Sequence, residues 1–228
     1  MKRFVLAVSS VALAGLAVSP AYAGGKAAPS TAPVNSSSKV TCTTSTAVGH
    51  TPIKVAQPVA ATKKNRTITL NTNCGSIVIA ADGIHAPLAV NAMTAFANSG
   101  YFNESICHRL TTQGIFVLQC GDPTASGSGG PAWWYANENL PKGAVNDYPA
   151  GTVALANAGI QDGHATNGSQ FFLVYADTTL PPAYTIWGHV TSGLNVLKAI
   201  AAAGTDNAFG NGDGHPNQTV SIVTATSK

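Results

Sequence analysis

Arg66-Thr-Ile-Thr-Leu-Asn-Thr72 alternates polar and apolar side chains, Asn73-Cys74 interrupts it, and Gly75-Ser-Ile-Val-Ile-Ala80 alternates again more loosely. A period of two puts alternate side chains on opposite faces of a strand, so each run has one face to bury. Two β-rich runs around a short polar turn predict a hairpin. Downstream, Ala86 to Ser99 carries Leu88, Val90, Met93, Phe96 and Ala97 at near-helical spacing, and Asn98-Ser99-Gly100 stops it. Short strand candidates follow at Ile106–Leu110, Ile115–Cys120, Gly151–Ala156, Gln170–Tyr175 and Ile186–Val190. Gly193 to Ala203 reads as a second helix, and Thr219 to Ala225 alternates once more. About eight short strands and two helices predict a mainly β fold, either a sandwich or a closed barrel whose open ends the helices cover.

Upstream of the hairpin the pattern is different. Lys2 and Arg3 precede an apolar run from Phe4 to Val18 and then Ser19-Pro20-Ala21-Tyr22-Ala23. This layout of basic, apolar and small-residue regions predicts a secretory signal peptide over residues 1–23. The run is too short to cross about 30 Å of hydrocarbon, so no membrane span is expected after cleavage. Residues 24–63 are rich in Ala, Pro, Ser and Thr without period or aromatic residues, which predicts a flexible tether. Residues 64–228 are then the folded domain. Export is the expected localisation: secreted, periplasmic or associated with a cell wall.

Charged residues make up 9% of the 228, and the formal net charge is +3. That is too weak a field for a nucleic-acid or anionic-lipid footprint. No phosphate-loop Gly-Lys-Ser/Thr, dinucleotide Gly-x-Gly-x-x-Gly, His-Glu-x-x-His or Gly-x-Ser-x-Gly occurs, so nucleotide, metal and acyl-transfer readings lack their parts. What remains is a set of uncharged polar and aromatic groups around one arginine. His108-Arg109 lies in one strand candidate and Phe116-Val117-Leu118-Gln119 in the next. Ala156-Asn157-Ala158 ends another, and Asn167-Gly-Ser-Gln-Phe-Phe172 begins one more. Strand parity puts Val117 with Gln119 and Gln170 with Phe172. An arginine, amide side chains and phenylalanines without paired carboxylates suit the binding of a peptide backbone, not acid–base cleavage.

Cys107-His-Arg-Leu110, Leu118-Gln-Cys-Gly-Asp122, Leu155-Ala-Asn-Ala158 and Thr166-Asn-Gly-Ser-Gln-Phe-Phe172 together resemble the signature blocks of the cyclophilin-type peptidyl-prolyl cis–trans isomerases, in family order and near family spacing. Tyr184-Thr-Ile-Trp-Gly-His-Val190 resembles the segment that follows. The resemblance covers roughly residues 64 to 226 and implies a closed eight-stranded antiparallel barrel capped by two helices. It implies a catalytic role for Arg109. It also implies that Phe116, Val117, Phe172, Leu180 and Tyr184 form a proline pocket, and that Gln119, Ala156, Asn157 and Gln170 hold the substrate. The expected substrates are proline-containing stretches of exported polypeptides, handled by a monomer with no metal and no cofactor. A non-catalytic module that recognises proline peptides is the alternative.

Two departures from the family pattern bear on the site. Between Arg109 and Gln119 the chain reads Leu-Thr-Thr-Gln-Gly-Ile-Phe-Val-Leu, longer than the family loop and without its Pro-Gly turn, a change that can displace Phe116. Thr179 or a neighbour stands where many relatives carry a tryptophan that contacts cyclosporin, so weak drug binding is expected. Four cysteines allow three pairings. Cys107–Cys120 joins neighbouring strand candidates and leaves Cys42–Cys74. On a regular ladder, however, Cys107 and Cys120 would point to opposite faces, and a bulge is needed to reconcile them with a shared Arg109–Gln119 face.

Overall fold

The computed structural model describes residues 40–59 and 61–228. The hairpin forms as its alternation dictates. Strand β1 (Arg66–Thr72) pairs antiparallel with β2 (Gly75–Ala81), from Arg66 opposite Ala81 to Thr72 opposite Gly75. Ile68, Leu70, Ile77 and Ile79 share the inner face and are fully buried. Each such side chain contributes roughly 1.5–3 kcal/mol by leaving water. Gly75 sits at φ +128°, a backbone region that a side chain would strain.

Helix α1 (Pro87–Asn98) buries Ala89, Val90, Met93, Phe96 and Ala97, and packs on β1 and the last strand. Pro87 stands in the first turn, where its missing N–H costs nothing. The residue before it, Ala86, has no capping side chain. Glu138 supplies the cap from 50 residues away, accepting from Leu88 N and Ala89 N at 3.1 Å each. A carboxylate there also complements the helix dipole. Helix α2 (Leu194–Ala202) buries Val196, Leu197 and Ile200 and lies against β2.

The remaining strands are β3 (Ser105–Ile106), β4 (Arg109–Thr111), β5 (Val117–Cys120), β6 (Thr152–Leu155), β7 (Ile160–Gln161), β8 (His164–Ala165), β9 (Phe171–Val174), β10 (Ile186–Ser192), β11 (Asp213–Gly214) and β12 (Ser221–Ser227). Among the described residues β7 and β8 form a separate hairpin. The other ten strands make one antiparallel sheet in the order β11-β4-β5-β9-β6-β10-β2-β1-β12-β3.

The expected closed eight-stranded barrel is therefore corrected to a strongly curled, open ten-stranded sheet, because no ladder joins β11 to β3. The curl is nevertheless tight. β3 ends one side of the sheet and β4 lies second from the other, yet only Cys107 and His108 separate them in sequence. Three residue steps, from Ile106 to Arg109, reach only about 10–11 Å, so the chain itself bridges the gap that hydrogen bonds leave open.

That short crossing also settles the cysteines. Cys107 lies outside both β3 and β4, so the β4 ladder does not fix its direction, and it bonds to Cys120. Cys42 bonds to Cys74.

The expected signal peptide falls outside the described residues. Of the expected tether, residues 40–59 and 61–63 carry no helix or strand. They are held to the domain by the Cys42–Cys74 bond, by Thr43 N donating to Asn73 O at 2.8 Å, and by Asn91 Nδ2 donating to Thr62 O at 2.9 Å. Among the described residues no helix is long and apolar enough to cross a membrane.

Candidate active site

Strand parity sorts the middle of the sheet into two faces. Leu110, Leu118, Val153, Leu155, Phe171 and Leu173 point to the main core beneath Trp187. Their neighbours point the other way. Arg109 stands opposite Gln119, Gln119 opposite Phe172, and Phe172 opposite Ala154, so one row crosses β4, β5, β9 and β6 on the outer face. Val117 and Val174 form the next row. These two rows carry the site.

The apolar half of the site is a second, smaller cluster: Val117, Ala154, Phe172, Val174 and Tyr148, flanked by Ile115, Ala156, Leu180, Tyr184 and Ile186. Three rings frame it. Phe172 meets Tyr184 edge-on at 5.6 Å between centroids, and Tyr148 lies 6.0 Å from Phe172 and 6.3 Å from Tyr184. The Tyr148 ring is wholly buried, and burial pushes its hydroxyl pKa up to about 12. Its Oη lies 3.2 Å from both Pro181 O and Tyr184 O and accepts from Tyr184 N at 3.2 Å, pinning the segment that carries Leu180 and Tyr184.

The polar half is a chain of oriented groups. Asp213 receives Arg109 Nε at 2.8 Å and Nη2 at 2.7 Å, a two-point grip that fixes the guanidinium plane. This hydrogen bonding raises the arginine's pKa further, against the opposing effect of burial. Arg109 Nη1 donates to Gln119 Oε1 at 3.4 Å, and Gln119 Nε2 donates to Gln170 Oε1 at 2.9 Å. Gln170 Nε2 donates to the carbonyls of Gly127 and Gly129 at 3.0 and 2.9 Å. Each amide thus has one orientation compatible with its neighbours.

Beyond Gln119 and Gln170 opens a groove of about 660 Å³, walled on one side by Gly127–Pro131 and Trp134 and on the other by Ala156–Ala158 and Gln161. Asn157 shapes this second wall from within. Its Nδ2 donates to Asn167 Oδ1 and Ala183 O at 3.1 Å each, and its Oδ1 accepts from Gly159 N at 3.0 Å.

The structure brings Arg109, Val117, Gln119, Ala156, Asn157, Gln170, Phe172, Leu180 and Tyr184 to this surface. It does not bring Phe116, whose expected pocket position is corrected. Phe116 packs against Tyr175 at 5.9 Å on the main core, and Ile115 joins the notch in its place. The longer β4–β5 connection shifts which residue turns outward. Thr179, which with its neighbours stands at the family's tryptophan position, accepts from Asn146 N at 2.9 Å through Oγ1.

Asp213 and Tyr148 escaped the sequence reading. Asp213 stands in Gly210-Asn-Gly-Asp-Gly214, a turn-like run that gives no sign of a partner 104 residues away. Tyr148 stands in a stretch with no regular period. Among the described residues no three His, Cys, Asp or Glu side chains gather as metal ligands.

Comparison with known proteins agrees with this architecture. Residues 67–227 match the family model described as cyclophilin type peptidyl-prolyl cis-trans isomerase/CLD. The chain is 42% identical over 170 residues to a probable peptidyl-prolyl cis-trans isomerase B of Mycobacterium tuberculosis, covering 69% of this chain and 53% of that one. It is 34% identical over 162 residues to a peptidyl-prolyl cis-trans isomerase-like 1 of Gibberella zeae, covering 69% and 92%. The chain thus spans about half the length of the tuberculosis relative and nearly all of the fungal one. A cyclophilin type isomerase crystal structure from Cryptosporidium parvum superposes with a TM-score of 0.61 at 23% identity, over 72% of this chain and 98% of that one, and so shares the fold. With the matched segment spanning the sheet, both helices and every residue of the notch, the chain belongs to the cyclophilin-type peptidyl-prolyl cis–trans isomerase family.

Proposed function

We propose that this chain accelerates cis–trans rotation about X–Pro bonds in polypeptides, with Arg109 as the catalytic group. Rotation about a peptide bond faces a barrier of about 18–20 kcal/mol, because the twisted amide loses resonance. The cis and trans ends are nearly balanced when proline follows, and uncatalysed exchange takes tens to hundreds of seconds. No bond to another atom forms or breaks, so the reaction asks only that the twisted state be held more tightly than either planar one.

The apolar notch of Val117, Phe172, Leu180 and Tyr184 takes the prolyl ring. Gln119, Gln170 and the main chain at Ala156–Asn157 hold the flanking backbone along the groove. As the amide twists, the prolyl nitrogen gains a lone pair, and a fixed guanidinium can donate to it. A guanidinium has five N–H donors. Asp213 and Gln119 take three among the described residues, which leaves two for substrate.

The observation that carries this reading is that grip. Arg109 stands at the edge of the notch with its plane fixed before substrate arrives, so little reorganisation is needed during rotation. Export of the protein, with exported chains as clients, is supported by two disulfides, which persist in oxidising compartments, and by the leader-like pattern of residues 1–23.

A suitable probe is a short Ala-Pro peptide, since the Cryptosporidium parvum protein was also crystallised in the presence of the dipeptide Ala-Pro. Exchange NMR should show the wild-type chain accelerating Ala-Pro isomerisation. Arg109→Ala should reduce kcat/KM by about 100-fold or more, the scale of losing one aimed donor. A wild-type chain that binds the peptide without changing its exchange rate is a binding module, and the proposal fails.

A further inference from the structure

We propose that the irregular segment 49–57 is a brace that sets one wall of the substrate groove, and so tunes peptide affinity. This rests on the reading of the groove as the peptide site. The wall in question runs from Gly127 to Pro131 and ends at Trp134. It is a loop of glycines, serines and a proline without regular structure. Its first part is gathered around the Asp122 carboxylate, which accepts from Thr124 N, Ser126 Oγ and Gly129 N, while its approach and its far end lean on other chain.

The segment touches the stretch containing this wall at four points. His50 N donates to Pro123 O at 2.8 Å. Gly49 packs on Thr124 so closely that an added Cβ would strike the Thr124 carbonyl oxygen. Further along, Trp133 Nε1 donates to Val55 O at 2.8 Å, and Gln57 Nε2 donates to Trp134 O at 3.4 Å. The approach to the wall at Pro123–Thr124 and its far end at Trp133–Trp134 are therefore tied to one continuous piece of chain, itself fastened by Cys42–Cys74 and packed on the core through Val40, Cys42 and Val55.

The inner side of the same wall carries the substrate-facing chemistry. Gly127 O and Gly129 O receive Gln170 Nε2, the end of the chain that starts at Arg109. Trp134 lines the groove while its own carbonyl is held from behind. Displacing the brace would move the acceptors that orient Gln170 and the Trp134 side chain that lines the groove. Arg109 and Asp213, on the far side of Gln119, would keep their geometry. The brace residues are thus positioning residues: they act on binding and not on the rotation step.

The test uses the full chain with Gly49→Ala, Trp133→Phe and an outward control, Val48→Ser, since Val48 is 70% exposed. Trp133→Phe keeps an aromatic ring to face Phe96 while removing the N–H that reaches Val55 and part of the indole's bulk. Peptide Kd is read by NMR titration with an Ala-Ala-Pro-Phe peptide and kcat and KM by exchange; amide hydrogen exchange is read at Ser128, Gly129 and Tyr135, whose N–H groups donate to Ser126 Oγ, Asp122 Oδ2 and Asn167 O.

Both brace variants should raise Kd and KM about fivefold, speed exchange at those amides about tenfold, and leave kcat within twofold; the control should match wild type. Unchanged Kd in both variants overturns the brace, as does faster amide exchange without a change in Kd. A fall in kcat at constant KM overturns it as well. A wild-type chain that binds the peptide but does not catalyse rotation sinks the proposed activity alone, and Kd and amide exchange still judge the brace.

Discussion

Arg109 and Asp213 meet through two parallel hydrogen bonds, Nε to Oδ1 at 2.8 Å and Nη2 to Oδ2 at 2.7 Å, with neither side chain fully buried. The carboxylate fixes the plane of the guanidinium and leaves Nη1 on the side of Gln119. An amide at 213 keeps one acceptor for Arg109 but loses both the charge and the second oxygen, whereas alanine loses every acceptor.

Asp213→Ala is therefore expected to lower kcat/KM for an Ala-Pro peptide by about tenfold, equivalent to roughly 1.4 kcal/mol of lost transition-state stabilisation. Asp213→Asn should lie between it and wild type. Stability should change by no more than about 1 kcal/mol, since the two side chains keep 34% and 26% of their surface exposed and solvent screens such a pair. Equal kcat/KM in all three proteins would show that the guanidinium orients itself without this partner.

Tyr148 offers a second test, directed at the notch. Its hydroxyl is the one polar atom of a buried ring, and it accepts from Tyr184 N while lying within bonding distance of Pro181 O and Tyr184 O. Tyr148→Phe keeps the packing against Phe172 but leaves those backbone groups without this partner. The expected cost is about 1–3 kcal/mol in urea unfolding, together with a severalfold rise in KM as the Leu180–Tyr184 segment loosens. A variant as stable as wild type would mean that water replaces the hydroxyl.

Much of this molecule is legible along the chain because its signals are local. The alternation of residues 66–80 gives the hairpin, and near-helical spacing gives α1 and α2 to within a residue or two at most ends. Parity puts Val117 with Gln119 and Gln170 with Phe172 once the strands are known, and the register between strands adds Arg109 to that row. The illegible parts are non-local. Strands of two residues, such as β3 and β11, have no period to read, so the open edge of the sheet is invisible in sequence. Asp213 reaches Arg109 only because β11 pairs with β4. The Pro- and Ser-rich stretch before residue 64 buries little by composition. What fastens residues 40–59 and 61–63 is a disulfide and scattered hydrogen bonds, most of them through side chains such as Asn73, Asn91 and Trp133 that reach this stretch's carbonyls, which composition does not reveal.

The Cys107–Cys120 bond closes a short loop that contains the longer β4–β5 connection and flanks the Arg109–Gln119 pair. With a separation of 13 residues, its restriction of the unfolded chain is worth about 3 kcal/mol. Replacing both cysteines by serine should lower the urea midpoint accordingly, without changing the slope of the transition by much. Non-reducing peptide mapping of the wild-type protein should recover the 107–120 and 42–74 linkages, and free thiols at these positions would contradict both.

Acid sensitivity should be dominated at first by one histidine. His108, next to Arg109, is 4% exposed, and neither ring nitrogen has a hydrogen-bond partner. Burial holds its pKa below the ordinary 6.5, with the nearby Asp122 carboxylate opposing and Arg109 and His215 reinforcing the shift. Because the folded value lies below the unfolded one, the unfolded chain takes up this proton first as pH falls. The stability that His108 confers as a neutral group is therefore complete above about pH 6.5, declines below it, and stops declining under the folded pKa. Asp122, held below 3.8 by bonds from Thr124 and Gly129 despite burial, adds its own loss only below about pH 3.8. Urea midpoints measured between pH 7.5 and 4.5 should fall on acidification in the wild-type protein and run flatter in His108→Gln. Parallel curves for the two proteins would place the acid-sensitive group elsewhere.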